Sequence, residues 1–187
     1  VEWTTPATGD CDMGNVNIQF RKSDTESWTD IASVAFNSSP YASWAPPIDS
    51  ITANAKTAKF RITQDINSEV TDDSDAFEIE GKLTLNAPLE SGLLWTVGAT
   101  NKVISWTPTG TFDTVNIYYS KDGGAFTNEI KTGISNSGSG VRKDWTWTTP
   151  GVPNDLNDQV KIRVVAGNDL DVYATTPNNI KFVGSLD

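Results

Sequence analysis

Residues 115–126, VNIYYSKDGGAF, are the stretch that decides the fold. Apolar and polar residues alternate from Val115 to Ser120, which is the period of a half-buried β-strand. The Asp122-Gly123-Gly124 sequence that follows has the composition of a tight hairpin turn. The segment therefore predicts a strand, a turn and the start of a returning strand.

The same pattern occurs upstream, where residues 16–28 read VNIQFRKSDTESW. Both copies begin with Val-Asn-Ile, and both place an aromatic residue just after the turn. The spacing between matched residues drifts only within segments rich in Gly, Asn, Ser and Pro, as loop-length variation around a shared fold would produce. The chain is therefore predicted to be a tandem repeat, with the further matches Trp3 to Trp106, Trp44 to Trp147, Arg61 to Arg163 and Phe77 to Phe182.

Further segments with a period of two lie in both repeats, and no long segment has helical periodicity. Short strands separated by turn-forming residues are typical of antiparallel β-sandwiches. We predict an all-β fold of two tandem antiparallel β-sandwich domains, residues 1–85 and residues 86–187. The inward-facing sets are Val16, Ile18 and Phe20 with Ala58, Phe60 and Ile62, and then Val115, Ile117 and Tyr119 with Val160, Ile162 and Val164.

The first domain is predicted to lack its first strand. Residues 92–103 read as an edge strand before Ile104-Ser105-Trp106, whereas nothing comparable precedes Trp3. Three interpretations stay open: an excerpt of a longer array, an open edge that another chain fills by strand addition, and a shorter first domain.

Composition restricts the possible partners. The chain has 187 residues and a formal net charge of -10, which argues against nucleic acid and anionic membrane surfaces. No apolar run approaches the roughly 20 residues of a membrane-spanning helix. Histidine is absent, and the single cysteine, Cys11, lies between aspartates that do not activate a thiol. We expect an inert loop thiol, with an intermolecular disulfide as the alternative.

The order of motifs in residues 92–183 resembles the immunoglobulin-like and fibronectin-III-like repeats of microbial secreted and cell-surface proteins, including the fungal Ser/Thr-rich GPI-anchored cell-wall-synthesis repeats. The first half resembles them more loosely, since it lacks the opening Trp-Thr-Val-Gly strand and has Asp24-Thr25-Glu26 in place of Asp-Gly-Gly. The resemblance implies an Ig-like fold and an extracellular or cell-surface location, but no shared active site. It rests on Leu94–Gly98, Ile104–Thr107, Val115–Gly124, Trp145–Pro150 and Val160–Val164.

Three groups of acidic residues have the oxygen ligands that Ca²⁺ takes. None has the spacing of a helical calcium loop, so we favour solvated turn residues and assign no metal or cofactor site. The groups are Asp65, Glu69, Asp72, Asp73 and Asp75; Asp10 and Asp12; and Asp169 and Asp171.

Trp145 and Trp147 are two residues apart and would share one face of a strand. Core packing is the favoured interpretation for them and for Trp3, Trp44 and Trp106. The alternative is a flat sugar-binding platform, for which Trp145 is the best candidate. Asn37-Ser38-Ser39 is a possible N-glycosylation sequon.

These observations predict a non-enzymatic extracellular structural protein, because with no histidine and unexceptional lysines the sequence offers no identifiable nucleophile and base pair. It would be a subunit of a surface filament or a spacer segment of a surface or adhesin array. Its partners would be copies of itself or neighbouring repeats, with no nucleic acid and no membrane insertion. The alternative is a carbohydrate-binding or adhesive module that recognises cell-surface glycans.

Overall fold

The computed structural model describes residues 1–4, 14–43 and 55–185, with residues 55 and 56 as backbone alone. In these residues the regular elements are fourteen β-strands and one 3₁₀ turn, Phe36–Ser38. The strands form several sheets with mostly antiparallel pairing, which confirms the all-β prediction. None of the described segments is a helix long and apolar enough to cross a membrane. The predictions for Cys11, Trp44, Asp10 and Asp12 fall outside the described residues.

The described residues belong to two compact units, the first ending at Ile79 and the second beginning at Glu80. This division lies upstream of the expected boundary after residue 85. The first unit contains β1 (Asn15–Arg21), β2 (Thr29–Ala35), β3 (Ala55–Gln64), β4 (Thr71–Asp73) and β5 (Phe77–Ile79).

The strands of the first unit form one antiparallel sheet in the order β2-β1-β3-β4, with β5 also pairing with β3. Val16, Ile18 and Phe20 of β1 are at most 8% exposed, as their alternation predicts. On β3, by contrast, Ala58 is buried while Phe60 and Ile62 are only half-buried. The inner face of β3 is therefore incompletely covered.

A short pair of segments lies against this sheet. Val1 and Tyr41 exchange two hydrogen bonds, the Val1 amino group donating to the Tyr41 carbonyl at 2.9 Å and the Tyr41 N–H to the Val1 carbonyl at 2.8 Å. Trp3 is buried and donates its indole N–H to the Phe36 carbonyl at 2.8 Å. Its backbone N–H donates a hydrogen bond to the Ser39 hydroxyl, and its carbonyl accepts one from the same hydroxyl. In the part of the unit that the structure describes, these contacts make a second, smaller layer.

The second unit has two sheets. One has the order β10-β9-β12-β14-β7, with β13 also pairing with β12, and the other has the order β11-β8-β6. All pairs are antiparallel except β7 with β14, which are parallel. The strands are β6 (Lys82–Ala87), β7 (Leu93–Thr96), β8 (Lys102–Thr109), β9 (Thr114–Ser120), β10 (Asn128–Ser135), β11 (Lys143–Trp147), β12 (Asn157–Ala166), β13 (Asp169–Thr175) and β14 (Ile180–Val183).

Side chains from both sheets of the second unit share one apolar core, so this unit is sandwich-like. Trp106 of β8 is fully buried, and its indole N–H donates to the buried Asn136 side-chain oxygen at 2.7 Å. Trp95 of β7 packs edge-on against Trp147 and stacks on Phe182. The predicted inward sets on β9 and β12 are buried throughout.

Strand pairing supports the repeat predicted from sequence. Ile18 faces Ile62 across β1 and β3, and the matching residues Ile117 and Val164 face each other across β9 and β12. The sheet order β2-β1-β3-β4 thus reappears as β10-β9-β12-β13.

One predicted match is wrong. Ala58 pairs with Phe77 in the first unit, and the equivalent Val160 pairs with Ile180. Phe77 therefore corresponds to Ile180 rather than to Phe182, which takes the place of Ile79. Matching by aromatic identity shifted the last strand by two residues, a shift that keeps the same face inward because side chains alternate with period two.

The difference in core coverage predicts unequal costs of truncation. Ile162→Ala removes a fully buried side chain and should lower the unfolding free energy of the second unit by about 2–5 kcal/mol. Ile62→Ala removes a half-buried side chain and should cost the first unit clearly less. Calorimetry that resolves the two unfolding transitions would measure both values, and equal losses would contradict the difference in coverage.

Candidate functional site

The acidic group around β4 does not converge on a common point. Asp73 pairs with Arg61, and Asp72 accepts a hydrogen bond from the Asp73 N–H at 3.1 Å. Asp65 accepts a hydrogen bond from the Asn15 N–H at 3.1 Å. These carboxylates cap strand ends and form a cross-strand ion pair, so each has a local structural role.

Asp169 begins β13, and its carboxylate accepts the Asp171 N–H at 3.1 Å, which closes the turn that leads out of β12. Asp171 is exposed. Within the ranges that the structure describes, no group of three or more His, Cys, Asp or Glu residues could hold a metal ion.

The two tryptophans of β11 point toward the apolar core of the second unit. Trp147 is 3% exposed, and Trp145 is half-buried and packs against the same core. They share a face, as predicted, but that face is directed inward and does not form an open row. Asn37, in the 3₁₀ turn, is exposed.

A groove lined by both apolar and polar residues runs along the half-covered face of β3 in the first unit. One part is lined by Val1, Glu2, Phe60 and Ile62 together with residues 72–74. An adjoining part is lined by Val16, Phe36, Ile62 and Val70 with residues 63–64 and 71–72. We call the two parts together the β3 groove.

The corresponding position in the second unit is filled. There β6 pairs with β8 along Leu83–Leu85 and packs against β12 and β13. Leu83 and Leu85 are at most 9% exposed and belong to the shared core. In the first unit, residues 1–3 take the place of β8, while β3 and β4 take the places of β12 and β13. The β3 groove therefore lies where β6 lies in the second unit.

A second feature lies on the opposite, outer face of each larger sheet. In the first unit, Arg21 and Arg61 lie over the ring of Trp28, with guanidinium carbons 4.6 and 4.3 Å from its centroid. Arg61 also donates two hydrogen bonds to the Asp73 carboxylate, at 2.6 and 3.0 Å. Arg21 pairs with Asp24. Both cations of this stack are thus neutralised within the unit.

The second unit repeats the stack with a different partner. Arg163 is the counterpart of Arg61, and its guanidinium carbon lies 3.9 Å from the Phe126 centroid and 4.0 Å from the Tyr173 centroid. Its Nε donates to the Thr175 hydroxyl at 3.1 Å, whereas Arg61 has the carboxylate of Asp73 at the same place. Within each pair, the two residues lie directly opposite each other on neighbouring strands.

Neither the β3 groove nor the arginine stacks were predicted from sequence. The matched pairs Trp28 with Phe126 and Arg61 with Arg163 were the available signal, because an aromatic residue after the turn recurs together with a strand arginine. That signal did not specify that these residues meet on one face.

No protein-family model matches this chain, and neither a curated protein nor a solved structure is significantly similar to it.

The Arg61–Asp73 pair predicts an acid sensitivity of the first unit. The hydrogen bond from Arg61 lowers the pKa of Asp73 from its ordinary value of 3.8. A carboxyl group whose pKa is lower in the folded state than in the unfolded state stabilises the fold at pH values above its unfolded-state pKa. This stabilisation is lost as the pH falls through the folded-state pKa. The melting temperature of the first unit should therefore drop below about pH 4.

Asp73→Asn should melt lower at neutral pH and show a smaller further drop on acidification, as measured by calorimetry between about pH 2.5 and pH 7. Asp144→Asn is the matched control, because Asp144 belongs to an exposed pair with Arg142 in the other unit. An acid response of the first unit that is the same in Asp73→Asn as in the parent would contradict the assignment.

Proposed function

We propose that this chain is a non-enzymatic extracellular structural protein, a subunit of a surface filament or a segment of a surface array. We further propose that both units are Ig-like β-sandwiches and that a neighbouring copy completes the first unit by strand addition. This proposal rests on the presence of the β3 groove in the first unit.

Strand order supports the Ig-like assignment of the second unit. Its smaller sheet runs β6-β8-β11 and its larger sheet runs β10-β9-β12-β14-β7, with β7 parallel to the last strand. An antiparallel sandwich in which successive strands are distributed between two sheets is the arrangement of immunoglobulin-type domains. The described part of the first unit repeats the larger sheet apart from β7, and its small layer repeats part of the smaller sheet.

The β3 groove supports strand addition because its surroundings match those of β6. Residues 1–3 run beside residues 39–41 as β8 runs beside β11, and their other edge faces the groove. An extended segment entering there would add a strand at that edge and cover Phe60 and Ile62 with its inward side chains. Main-chain hydrogen bonds provide affinity in this kind of association, and alternate side chains provide specificity.

A structural role also agrees with the chemistry of the candidate sites. The chain has no histidine. The carboxylates around β4 are engaged in an ion pair and in strand-end hydrogen bonds. The β3 groove is lined by aliphatic and aromatic side chains interspersed with acidic and uncharged polar residues.

A peptide of residues 82–96, which spans β6 and β7, tests the proposal because it carries the side chains that fill the equivalent site in the second unit. Added in excess to the whole chain, it should raise the melting temperature of the first unit by several degrees and leave that of the second unchanged. Binding at about 100 times the dissociation constant stabilises a folded state by about 2.7 kcal/mol. Calorimetry and amide hydrogen exchange at residues 2–4 would report it.

The matched control is the same peptide with Leu83→Asp and Leu85→Asp, which keeps the backbone donors but removes the apolar contacts. Electron microscopy at high protein concentration should show linear assemblies that the unmodified peptide suppresses. A chain that stays monomeric and does not respond to either peptide would contradict the proposal.

A further inference from the structure

The outer face of the second unit carries a cation that is held in place but not neutralised. Arg163 lies between the rings of Phe126 and Tyr173, at 3.9 and 4.0 Å. Its Nε is engaged by Thr175. No carboxylate among the described residues comes within ion-pair distance of its guanidinium, although four other basic residues do have such partners.

The first unit provides an internal comparison for this site. The same stack there ends in Asp73, whose carboxylate takes two hydrogen bonds from Arg61. In the second unit the residue at that position is Thr175, whose hydroxyl takes a single bond. Replacing the carboxylate by a hydroxyl leaves the terminal nitrogens of Arg163 able to bind an anion from outside.

We propose that Arg163, Tyr173 and Phe126 form a binding site for a carboxylate-bearing sugar residue of an acidic polysaccharide. A guanidinium binds a carboxylate through two parallel hydrogen bonds, a geometry that lysine does not provide. The two rings hold the guanidinium in one orientation, so little further ordering is needed when a ligand binds.

The surroundings favour an acidic sugar over an acidic peptide. Tyr173 is 47% exposed, so part of its ring is open beside the cation and offers an apolar surface for the face of a sugar ring. The chain carries a net charge of -10, which repels dense polyanions at long range. Glu129 and Asp171 lie on strands that flank this face and add to the repulsion. A sugar chain with one carboxylate per ring spaces its charges more widely than a run of acidic amino acids, and it therefore meets less repulsion.

This site is independent of the β3 groove, so the two proposals can fail separately. Titration calorimetry of the whole chain with an oligogalacturonate should show saturable binding, and the neutral oligosaccharide of the same length should show much weaker binding. Acetate at the same carboxylate concentration tests whether the charged group alone is sufficient, and binding of acetate equal to that of the oligomer would overturn the sugar assignment. Preferential binding of a glutamate oligomer would overturn it as well.

Thr175→Asp is the decisive variant, because it should rebuild in the second unit the ion pair that Asp73 makes in the first. It should weaken oligogalacturonate binding on the order of tenfold or more, which is the effect of losing about 1.4 kcal/mol. Thr175→Ser keeps the hydroxyl and should bind as the parent does. Arg163→Lys keeps the charge but loses the paired hydrogen bonds, and it should also weaken binding.

Asp73→Thr provides the converse test, because it removes the carboxylate from the Arg61 stack and should add a second binding equivalent. Circular dichroism melting checks that each variant is folded, and Arg163→Lys decides the matter if Thr175→Asp does not fold. Absence of oligogalacturonate binding in the parent, or binding unchanged in both Thr175→Asp and Arg163→Lys, would overturn the proposal.

Discussion

The antiparallel pairing of β1 with β3, and of β9 with β12, is the constraint on which the rest of each unit depends. Ile18 opposite Ile62, and Ile117 opposite Val164, set the register of these central strands. A shift by one residue would turn every inward side chain outward, because side chains alternate across a strand. The same register places Arg61 opposite Asp73 and Arg163 opposite Thr175, so the apolar core and the outer-face stacks are specified by one alignment of backbones.

Alternation along individual strands predicted the all-β class and the inward-facing residues of β1, β9 and β12, since that pattern is local. The partner of β6 was not predictable in this way. Leu83 and Leu85 alternate with polar residues and would suit the inner face of either unit, and only pairing with β8 assigns them to the second. Strand pairing is not a local property of the sequence, and for this reason Phe77 was misaligned. The arginine stacks were missed because their residues are distant in sequence and meet only after the sheets form.

The two units share several central features and differ in what surrounds them. Both keep a buried tryptophan whose indole N–H is satisfied, by a carbonyl for Trp3 and by an amide side chain for Trp106. Both keep the arginine stacked on an aromatic ring. The units differ around these features. Among the described residues, the inner layer is extensive in the second unit and short in the first. The group that faces the arginine is a carboxylate in the first unit and a hydroxyl in the second.

The parallel pairing of β7 with β14 has a mechanical consequence. The chain enters this ladder at Leu93, opposite Ile180, and leaves it at Val183, opposite Thr96. Tension transmitted along the backbone through these two strands therefore pulls at opposite ends of the ladder. Its hydrogen bonds are then loaded together in shear and do not open one after another as they would in a hairpin peeled from its end. Trp95 and Phe182, stacked across the same two strands, resist the same sliding motion. This ladder thus resists in shear a tension that is applied at Leu93 and Val183.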